Sequence, residues 1–312
     1  MRLLEEIRGK KILLSPLNWG MGHVSRCIAL IEKLKYHNSL TIACNQMQRN
    51  ILKQYHSELD YVELIGYPFN FRQNKSYLQS ILVNLPQLRK HIRYDHEQCE
   101  IICKKKGIEL VISDHRYGFF STHTDSVFLT HQVQLPLPWQ LWFAQRYHHM
   151  LLKNFKEIWI VDDLTFKLAG KLSKPLESIP CFPIGLLSRF ALQPSPSFKS
   201  GHFLILSGPM AYWKHLIDSF RNFYFDGIIG PEEGLSISYD LKIPLYLSSN
   251  WRQIDQLLLS SEKIYGYAGY TTIMDIQFLK CEHHLIACPG QFEQKYLSDL
   301  LNGRKQKWLP HQ

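Results

Sequence analysis

The sequence lacks several features that would assign a protein to a class directly. Its 312 residues contain no run of about 18 apolar residues free of charge, which excludes a membrane-spanning helix. Residues 1–11 are charged and contain no apolar core, so we expect no secretion signal. The seven cysteines are scattered and show neither Cys-x-x-Cys pairs nor zinc-ligand spacing. These absences predict a cytoplasmic protein with reduced thiols.

Acidic residues are too few to balance the basic ones. The chain has 36 lysines and arginines against 27 aspartates and glutamates, a formal net charge of +9. Basic residues concentrate at 89–93 and 104–106, without the interleaved aromatic residues or motifs of nucleic-acid-binding proteins. We therefore expect no nucleic-acid partner. Phosphorylated substrates or an anionic membrane suit this charge, and a solvated helix face is the alternative for each cluster.

No internal repeat or low-complexity segment interrupts the chain, which instead alternates between two apolar patterns. Residues 11–15 and 40–44 are short apolar runs, typical of buried parallel strands. Between them, residues 24–34 have apolar side chains at helical spacing, which predicts a βαβ opening. The same alternation of strands and helices resumes at residue 202.

A proline-containing stretch separates the two alternating regions. Prolines concentrate between residues 171 and 200, where we expect them to break regular structure and form a linker. The pattern therefore predicts the α/β class, with two Rossmann-like doubly wound domains facing each other across a cleft. The predicted domains are residues 1–192 and residues 193–312.

The first candidate site is the loop between the first strand and the first helix. Gly20 and Gly22 allow a tight turn and close approach of a ligand, and the helix N-terminus behind them favours anions. The third glycine of the dinucleotide fingerprint is absent, because residue 25 is serine. His23 is a candidate general base or hydrogen-bond donor to substrate, with a structural or helix-capping histidine as the alternative.

Polar residues also follow two later apolar strands. Asp114 and Arg116 come after residues 109–113, at the kind of strand end where open α/β sheets bind ligands. Asp114 is a candidate to take a proton from an acceptor hydroxyl, or else caps a turn. His131 and Gln132 follow the next strand in the same way.

Two further turns lie in the second predicted domain. Gly269, Thr271 and Thr272 open a helix whose amides and hydroxyls suit a diphosphate. Asp275, one turn further on, suits ribose hydroxyls, or otherwise interacts with the helix dipole. The next strand leads into three residues that suit sugar hydroxyls or simply begin a helix, Gln291, Glu293 and Gln294.

Taken together, these motifs resemble the GT-B glycosyltransferases. They are most similar to family 28 relatives of the MurG-type N-acetylglucosaminyltransferase, which acts on a lipid-linked acceptor, and to an uncharacterised bacterial subset of that family. The resemblance covers nearly the whole chain in the right order, through residues 20–26 (GMGHVSR), 113–118 (SDHRYG), 130–132 (THQ), 184–189 (IGLLSR), 206–209 (LSGP), 269–275 (GYTTIMD) and 289–294 (PGQFEQ).

The resemblance implies roles for individual residues. The first predicted domain would hold the acceptor and the second would bind the donor. The acceptor-side loop near the diphosphate would contain Gly20, Gly22 and His23, with His131 and Gln132 beside it, and Arg116 would contribute to the same acceptor and phosphate site. The donor site would consist of a domain-ending pair, Ser188 and Arg189; a serine–glycine turn, Ser207 and Gly208; a phosphate-binding turn, Gly269, Thr271 and Thr272; a ribose-binding acid, Asp275; and a sugar-reading pair, Glu293 and Gln294.

The function that follows is an inverting, metal-independent hexosyltransferase. The nucleotide sugar, UDP-linked as the family implies, is a substrate, and we expect no cofactor. The absence of an Asp-x-Asp motif agrees with stabilisation of the leaving group by the protein alone. The acceptor is expected to bear a lipid or phosphate, with peripheral contact to an anionic membrane. Two alternatives are a non-catalytic sugar-nucleotide-binding protein, favoured by the apolar stretch 209–213, and a sugar-nucleotide epimerase of the same fold.

Overall fold

The computed structural model describes residues 4–67, 77–194 and 196–303. Within these ranges the chain divides into two compact units. The first contains residues 4–67 and 81–187, and the second contains residues 77–80, 188–194 and 196–303. The expected boundary between residues 192 and 193 stays a prediction, and the outer ends of the predicted domains lie outside the described residues. None of the described helices combines the length and apolar character needed to cross a bilayer.

The first unit is built on one parallel sheet. Its seven strands are β1 (Lys11–Pro16), β2 (Ser39–Cys44), β3 (Asp60–Glu63), β4 (Leu110–Asp114), β5 (Ser126–Thr130), β6 (Glu157–Ile160) and β7 (Cys181–Pro183). They pair in the order β3-β2-β1-β4-β5-β6-β7. Nearly every residue of β1, β2 and β5 is buried, as expected for parallel strands covered on both faces.

Strand β7 corrects one expectation from the sequence. We expected the prolines between residues 171 and 200 to exclude regular structure, but Cys181–Pro183 pairs with β6. The strand is short and lies at the edge of the sheet, where the missing amide hydrogen of proline costs no ladder hydrogen bond.

Four helices cover the first sheet: α1 (Gly22–Leu34), α2 (Gln46–Leu52), α3 (Tyr77–Lys106) and α4 (Trp142–Leu152). Helix α1 buries a long apolar stripe that also contains Arg26, a charged side chain with almost no exposed surface. Helix α2 begins at a capping box, in which Asn45 and Gln48 satisfy each other's backbone amides. Helix α3 packs Cys99, Ile102 and neighbouring side chains into the core beside β1 and β4.

The second unit contains a smaller parallel sheet. Its strands are β8 (His202–Ile205), β9 (Gly227–Gly230), β10 (Leu245–Leu247), β11 (Lys263–Tyr267) and β12 (Glu282–Ile286), in the order β10-β9-β8-β11-β12. The intervening helices are α5 (Trp213–Phe220), α6 (Leu235–Leu241), α7 (Trp251–Ser260), α8 (Tyr270–Leu279) and α9 (Phe292–Leu301). The two predicted parallel α/β units are therefore confirmed.

Within each unit, the strand order places most of the candidate motifs at one edge of the sheet. In a parallel sheet all carboxyl ends lie at one edge, and ligands bind where the strand order reverses. In the first sheet this switch point lies between β1 and β4, and in the second between β8 and β11. The loops that carry most of the predicted motifs follow β1, β4 and β5 in the first unit, and β8, β11 and β12 in the second. The motif at residues 184–189 instead follows β7, at one end of the first sheet.

Candidate functional site

Side chains from three neighbouring strand ends meet at the switch point of the first sheet. His23 lies in the first turn of α1, and its Nδ1 is 3.0 Å from Oδ2 of Asp114, the last residue of β4. Arg26, one turn further along α1, donates from Nε to Oδ1 of Asp114 at 2.7 Å. The Nη1 of Arg26 is 3.1 Å from Nδ1 of His131, directly after β5. We call these four residues the His23 cluster.

The members of the His23 cluster differ in exposure. The side chain of Asp114 is fully buried and that of Arg26 is 2% exposed, whereas that of His23 is 16% exposed. Asp114 also accepts a hydrogen bond from the Cys27 thiol at 3.6 Å, so both its carboxylate oxygens have partners inside the protein. Direct contact of Asp114 with an acceptor hydroxyl, one of the two roles considered for it, does not fit this burial. Capping of a turn does not fit its contacts, because its carboxylate is bound by side chains rather than by backbone amides of the described residues.

The charges of the cluster hold His23 neutral. Burial opposes ionisation of Asp114, but the charge of Arg26 and the contacts with His23 outweigh it and lower the pKa of Asp114 below its usual value. Burial and then the charge of Arg26 lower the pKa of His23, partly offset by Asp114. The stable state near neutral pH is therefore an ionised Asp114 beside an uncharged His23.

The tautomer of His23 determines what the cluster can do. Its Nδ1 lies near both Oδ2 of Asp114 and, at 2.8 Å, Nη2 of Arg26. In the tautomer that places the proton on Nδ1, His23 donates to Oδ2 of Asp114 while Nη2 of Arg26 donates to Oδ1. The Nε2 atom of His23 makes no hydrogen bond to any described residue. This leaves a lone pair on Nε2 that can accept a proton.

A second set of side chains, which sequence reasoning missed, supports the loops around the cluster. Tyr117 lies 2.8 Å from Nδ1 of His148 and 3.5 Å from Nε2 of His115 through its hydroxyl. His148 Nε2 donates to the carbonyl of Val133 at 3.0 Å, so its Nδ1 accepts the Tyr117 proton. His115 Nδ1 contacts the Thr130 hydroxyl at 3.0 Å. Burial lowers the pKa of His148 to about 3 and that of His115 well below its usual value, so both are neutral.

Arg116 does not occupy the position expected for a phosphate contact. Its side chain is fully buried, and its Nε and Nη2 bind the carboxylate of Asp95 at 2.9 and 2.5 Å. Its Nη2 also donates to the Ile65 carbonyl, and its guanidinium packs over the Tyr67 ring. The ion pair with Asp95 links helix α3 to the loop after β4. The contacts of Arg116 therefore indicate that it stabilises the fold rather than binding a substrate.

The remaining first-unit candidates lie around the His23 cluster. Gly20 is exposed and adopts a φ of +84°, which disfavours any residue with a side chain. Gly22 begins α1. Gln132 is 9% exposed, and its backbone amide donates to the Thr130 hydroxyl at 2.8 Å. The turn before His23 is therefore open, whereas the loop after β5 is largely buried.

In the second unit, the expected donor residues Ser188, Arg189 and Asp275 bind one another. Ser188 donates to Oδ1 of Asp275 at 2.6 Å, and Nη1 of Arg189 donates to Oδ2 at 2.8 Å. The Nε of Arg189 donates to Asp255 at 2.6 Å. The side chains of Arg189 and Asp275 are only 8% and 10% exposed. We call these four residues the Arg189 cluster, and its contacts favour a structural role over the expected binding of diphosphate and ribose.

The turns at the carboxyl edge of the second sheet are more open. Gly269 precedes α8 without a capping side chain, and Thr271 and Thr272 are half-buried. The backbone amides of these two threonines make no hydrogen bond within the described part of the chain. Ser207 and Gly208 follow the neighbouring strand β8, and Gly208 has a φ of +74°. This turn and the start of α8 therefore offer amides and hydroxyls at the switch point.

The last expected donor residues surround the start of α9. Gln291 precedes the helix and is half-buried, and Glu293 lies in its first turn. The side-chain carbonyl of Gln294 accepts a hydrogen bond from the Cys288 amide at 2.9 Å, so it closes the turn after β12.

Comparison with known proteins identifies the fold. No protein-family model matches the chain, and neither does any curated protein. Solved glycosyltransferase structures do match. MurG of Acinetobacter baumannii is 11% identical with a TM-score of 0.51, over 94% of this chain and 83% of that one.

Two further matches hold donor-related ligands. Phytolacca americana UGT2, complexed with UDP-2fluoro-glucose and pterostilbene, is 12% identical with a TM-score of 0.59, over 95% of this chain and 84% of that one. Spinosyn rhamnosyltransferase SpnG, complexed with thymidine diphosphate, is 13% identical with a TM-score of 0.55, over 92% of this chain and 83% of that one. The predicted resemblance to GT-B glycosyltransferases is confirmed for the fold.

Proposed function

We propose that the chain is an inverting glycosyltransferase that moves a sugar from a nucleotide diphosphate donor to a hydroxyl acceptor. The observation that carries this proposal is the His23–Asp114 pair, placed at the switch point of the first sheet with Nε2 of His23 unengaged. The fold supports it, since matching structures include a transferase with a UDP-sugar analogue and one with thymidine diphosphate.

In the proposed reaction His23 is the general base. Its Nε2 takes the proton of the acceptor hydroxyl as that oxygen bonds to the anomeric carbon of the sugar. The bond from this carbon to the diphosphate breaks, and the diphosphate leaves with the electron pair. Asp114 stabilises the imidazolium that forms, and Arg26 fixes the carboxylate in place. A single displacement of this kind inverts the anomeric configuration.

The groups that best suit the leaving diphosphate lie at the carboxyl edge of the second sheet. The amides of Thr271 and Thr272, their hydroxyls and the N-terminal dipole of α8 all favour an anion. The Ser207–Gly208 turn lies on the adjacent strand end. Arg189, which the resemblance assigned to the donor, is instead committed to Asp255 and Asp275. We therefore assign the diphosphate to the start of α8.

Nucleotide release with a panel of UDP- and TDP-sugars tests the proposal. With a hydroxyl-bearing acceptor present, we expect nucleoside diphosphate to accumulate in step with glycosylated product. Candidate acceptors include lipid phosphates, because exposed Arg89, Lys90 and Arg93 form a basic face on α3. Failure of every donor in the panel to bind in calorimetry would refute the proposal.

A non-catalytic sugar-nucleotide-binding protein is the second candidate. After the Ser207–Gly208 turn the chain is apolar from Pro209 to Ala211. A cavity of about 280 Å³ beside this stretch is lined by Met210, Trp213, Ile217 and Ile237 together with Lys214, Glu233 and Ser236. Donor binding without nucleotide release, for any acceptor tried, would favour this role. An epimerase has less support, because Asp114, Asp255 and Asp275 are all buried in ion pairs rather than directed at a sugar.

A further inference from the structure

Strand β12 leaves one of its sides without a partner strand. It is the last strand of the second sheet, paired with β11 on one side and with no described strand on the other. Glu282 and Ile286 direct their backbone groups at β11. Because successive residues of a strand direct these groups to alternate sides, those of His283 and Leu285 point away from β11. They make no hydrogen bond within the described part of the chain.

Nothing in the sequence of the strand itself protects this outer side. Proteins usually block an unpaired strand with a proline, a lysine, a β-bulge or an inward-pointing charge. Residues 282–286 contain no proline or lysine, and their register with β11 runs without a bulge. Glu282, His283 and His284 are exposed, and the one carboxylate, that of Glu282, lies at the start of the strand. The outer side of β12 can therefore accept another strand.

Exposed aromatic side chains lie beside the same strand. The ring of His284 contacts those of Phe220 and Phe223, with ring centroids 5.2 and 5.4 Å apart. Phe223 is 40% exposed and the next residue, Tyr224, is 70% exposed. Exposed apolar surface that adjoins unused backbone groups marks an interaction site. We call β12, Phe223 and Tyr224 the β12 surface.

We propose that two copies of this chain pair through the β12 surface, with their β12 strands antiparallel about a two-fold axis at His284. The two five-stranded sheets then form one continuous sheet. In strand addition of this kind the main-chain hydrogen bonds supply affinity and the side chains supply specificity. The pairing does not depend on the proposed transfer reaction, so either can fail alone.

The direction of the backbone groups selects the register of the pairing. With His284 opposite itself, His283 of each copy opposes Leu285 of the other, and each such pair exchanges two N–H···O bonds. A shift by one residue sets these groups against residues whose own groups are already bonded to β11. A shift by two sets one of them against a residue outside the strand. The register centred on His284 is therefore the one that pairs all of residues 282–286.

A second copy fits the β12 surface better than an unrelated strand does. Self-pairing keeps the two Glu282 carboxylates at opposite ends of the paired strands, each diagonal to His284 of the other copy, so no like charges face each other. The two-fold axis also brings the aromatic side chains of both copies to one face of the joined sheet. A two-stranded contact is marginal by itself, and Phe223 and Tyr224 add apolar surface to it from each copy.

Sedimentation equilibrium of the full chain tests the proposal. We expect a monomer–dimer equilibrium in which the dimer predominates at about 100 µM chain. His283→Pro removes an outward N–H, a change that an edge strand tolerates, and should weaken dimerisation about tenfold or more. The matched control, His283→Val, removes the same imidazole but keeps the N–H, and should dimerise as the wild type does. Circular dichroism and thermal unfolding check that both variants are folded.

Cysteine cross-linking tests the register without a proline. His284→Cys places two identical residues opposite each other in a non-hydrogen-bonded pair, whose Cα separation of about 4.5 Å suits a disulfide. We expect mild oxidation to cross-link this variant into a dimer. Glu282→Cys, which opposes Ile286 of the second copy, should cross-link far less. The wild type, with its seven cysteines, sets the background.

Three outcomes contradict the pairing. The proposal is overturned if the wild type is monomeric over the whole concentration range. It is also overturned if folded His283→Pro dimerises as tightly as the wild type, because the contact then lies elsewhere on the molecule. Equal cross-linking of Glu282→Cys and His284→Cys would overturn the two-fold axis at His284.

Discussion

Buried arginine–aspartate pairs occur in both units, and the pair in the His23 cluster differs from those in the Arg189 cluster in what it supports. In the His23 cluster, Arg26 and Asp114 position a histidine that keeps part of its ring exposed. In the Arg189 cluster, Arg189 is shared between two buried aspartates and Ser188 is buried beside them. A buried ion pair serves chemistry only when it orients a third group that can still reach a ligand. By that criterion the first cluster is a candidate site and the second is a structural tie.

The largest expected effect is on turnover. His23→Ala should lower kcat by about 10²–10⁴-fold with donor affinity kept, because it removes the proposed base but no donor contact. Asp114→Asn should lower kcat as well, since the amide no longer stabilises the imidazolium. The matched control is His37→Ala, which removes an exposed histidine elsewhere in the first unit. A rise in donor KM with kcat unchanged would instead make His23 a binding residue.

The next effect is on stability and belongs to the second cluster. Asp275→Ala removes the acceptor of Ser188 and one carboxylate that neutralises Arg189, so it should destabilise the protein by about 3 kcal/mol. The ribose-binding role expected for Asp275 would instead give weaker donor binding without loss of stability. Ser188→Ala, which removes one neutral donor, should cost only about 1 kcal/mol. Denaturant unfolding measures both, and an Asp275→Ala protein of unchanged stability but weaker donor affinity would restore the ribose role.

The two clusters also show what the sequence could predict. His23, Asp114 and His131 follow strands expected to be parallel, and parallel strands deliver such residues to one edge, so their proximity could be anticipated. Arg26 is a charged residue within the apolar stripe of α1, a pattern that indicates a buried ion pair. The pairing of Arg189 with Asp275 had no such signal, because 86 residues separate the partners and no local pattern reports a tertiary contact. The contact of His148 with the Tyr117 hydroxyl, across 31 residues, likewise has no local pattern in the sequence.

A smaller effect, on donor affinity, distinguishes the start of α8 from the Arg189 cluster. Thr272→Ala should weaken nucleotide-sugar binding by about 1.5–3 kcal/mol, because it removes a hydroxyl expected to bond a charged phosphate. The fold should be unaffected, since Thr272 is half-buried and its hydroxyl has no partner among the described residues. Thr272→Ser keeps the hydroxyl and should retain affinity in calorimetry. Equal affinity of wild type and Thr272→Ala would remove the start of α8 from the donor site.

The smallest effect is a difference in pH response between the two units. The His23 cluster contains the titrating base, whereas the Arg189 cluster contains no histidine, the side chain that ordinarily changes charge between about pH 5 and 8. Burial and the charge of Arg26 lower the pKa of His23 below its ordinary value of 6.5. At pH 6.5 most of His23 is therefore neutral and can act as a base, and it becomes protonated only as the pH falls further. Turnover at pH 6.5 should therefore keep more than about half of its maximum, with an acid limb below that pH.

Donor affinity should stay level over the same range, because the diphosphate of a nucleotide sugar has no group that titrates there. Measuring kcat and the donor dissociation constant over the same pH range compares the pH dependence of turnover with that of donor binding in one protein. The buffer series needs a check by circular dichroism, since buried neutral His148 must also protonate when the chain unfolds in acid. An acid limb centred above pH 6.5 would contradict the lowered pKa. A donor affinity that follows the same limb would mean that His23 contacts the donor rather than the acceptor.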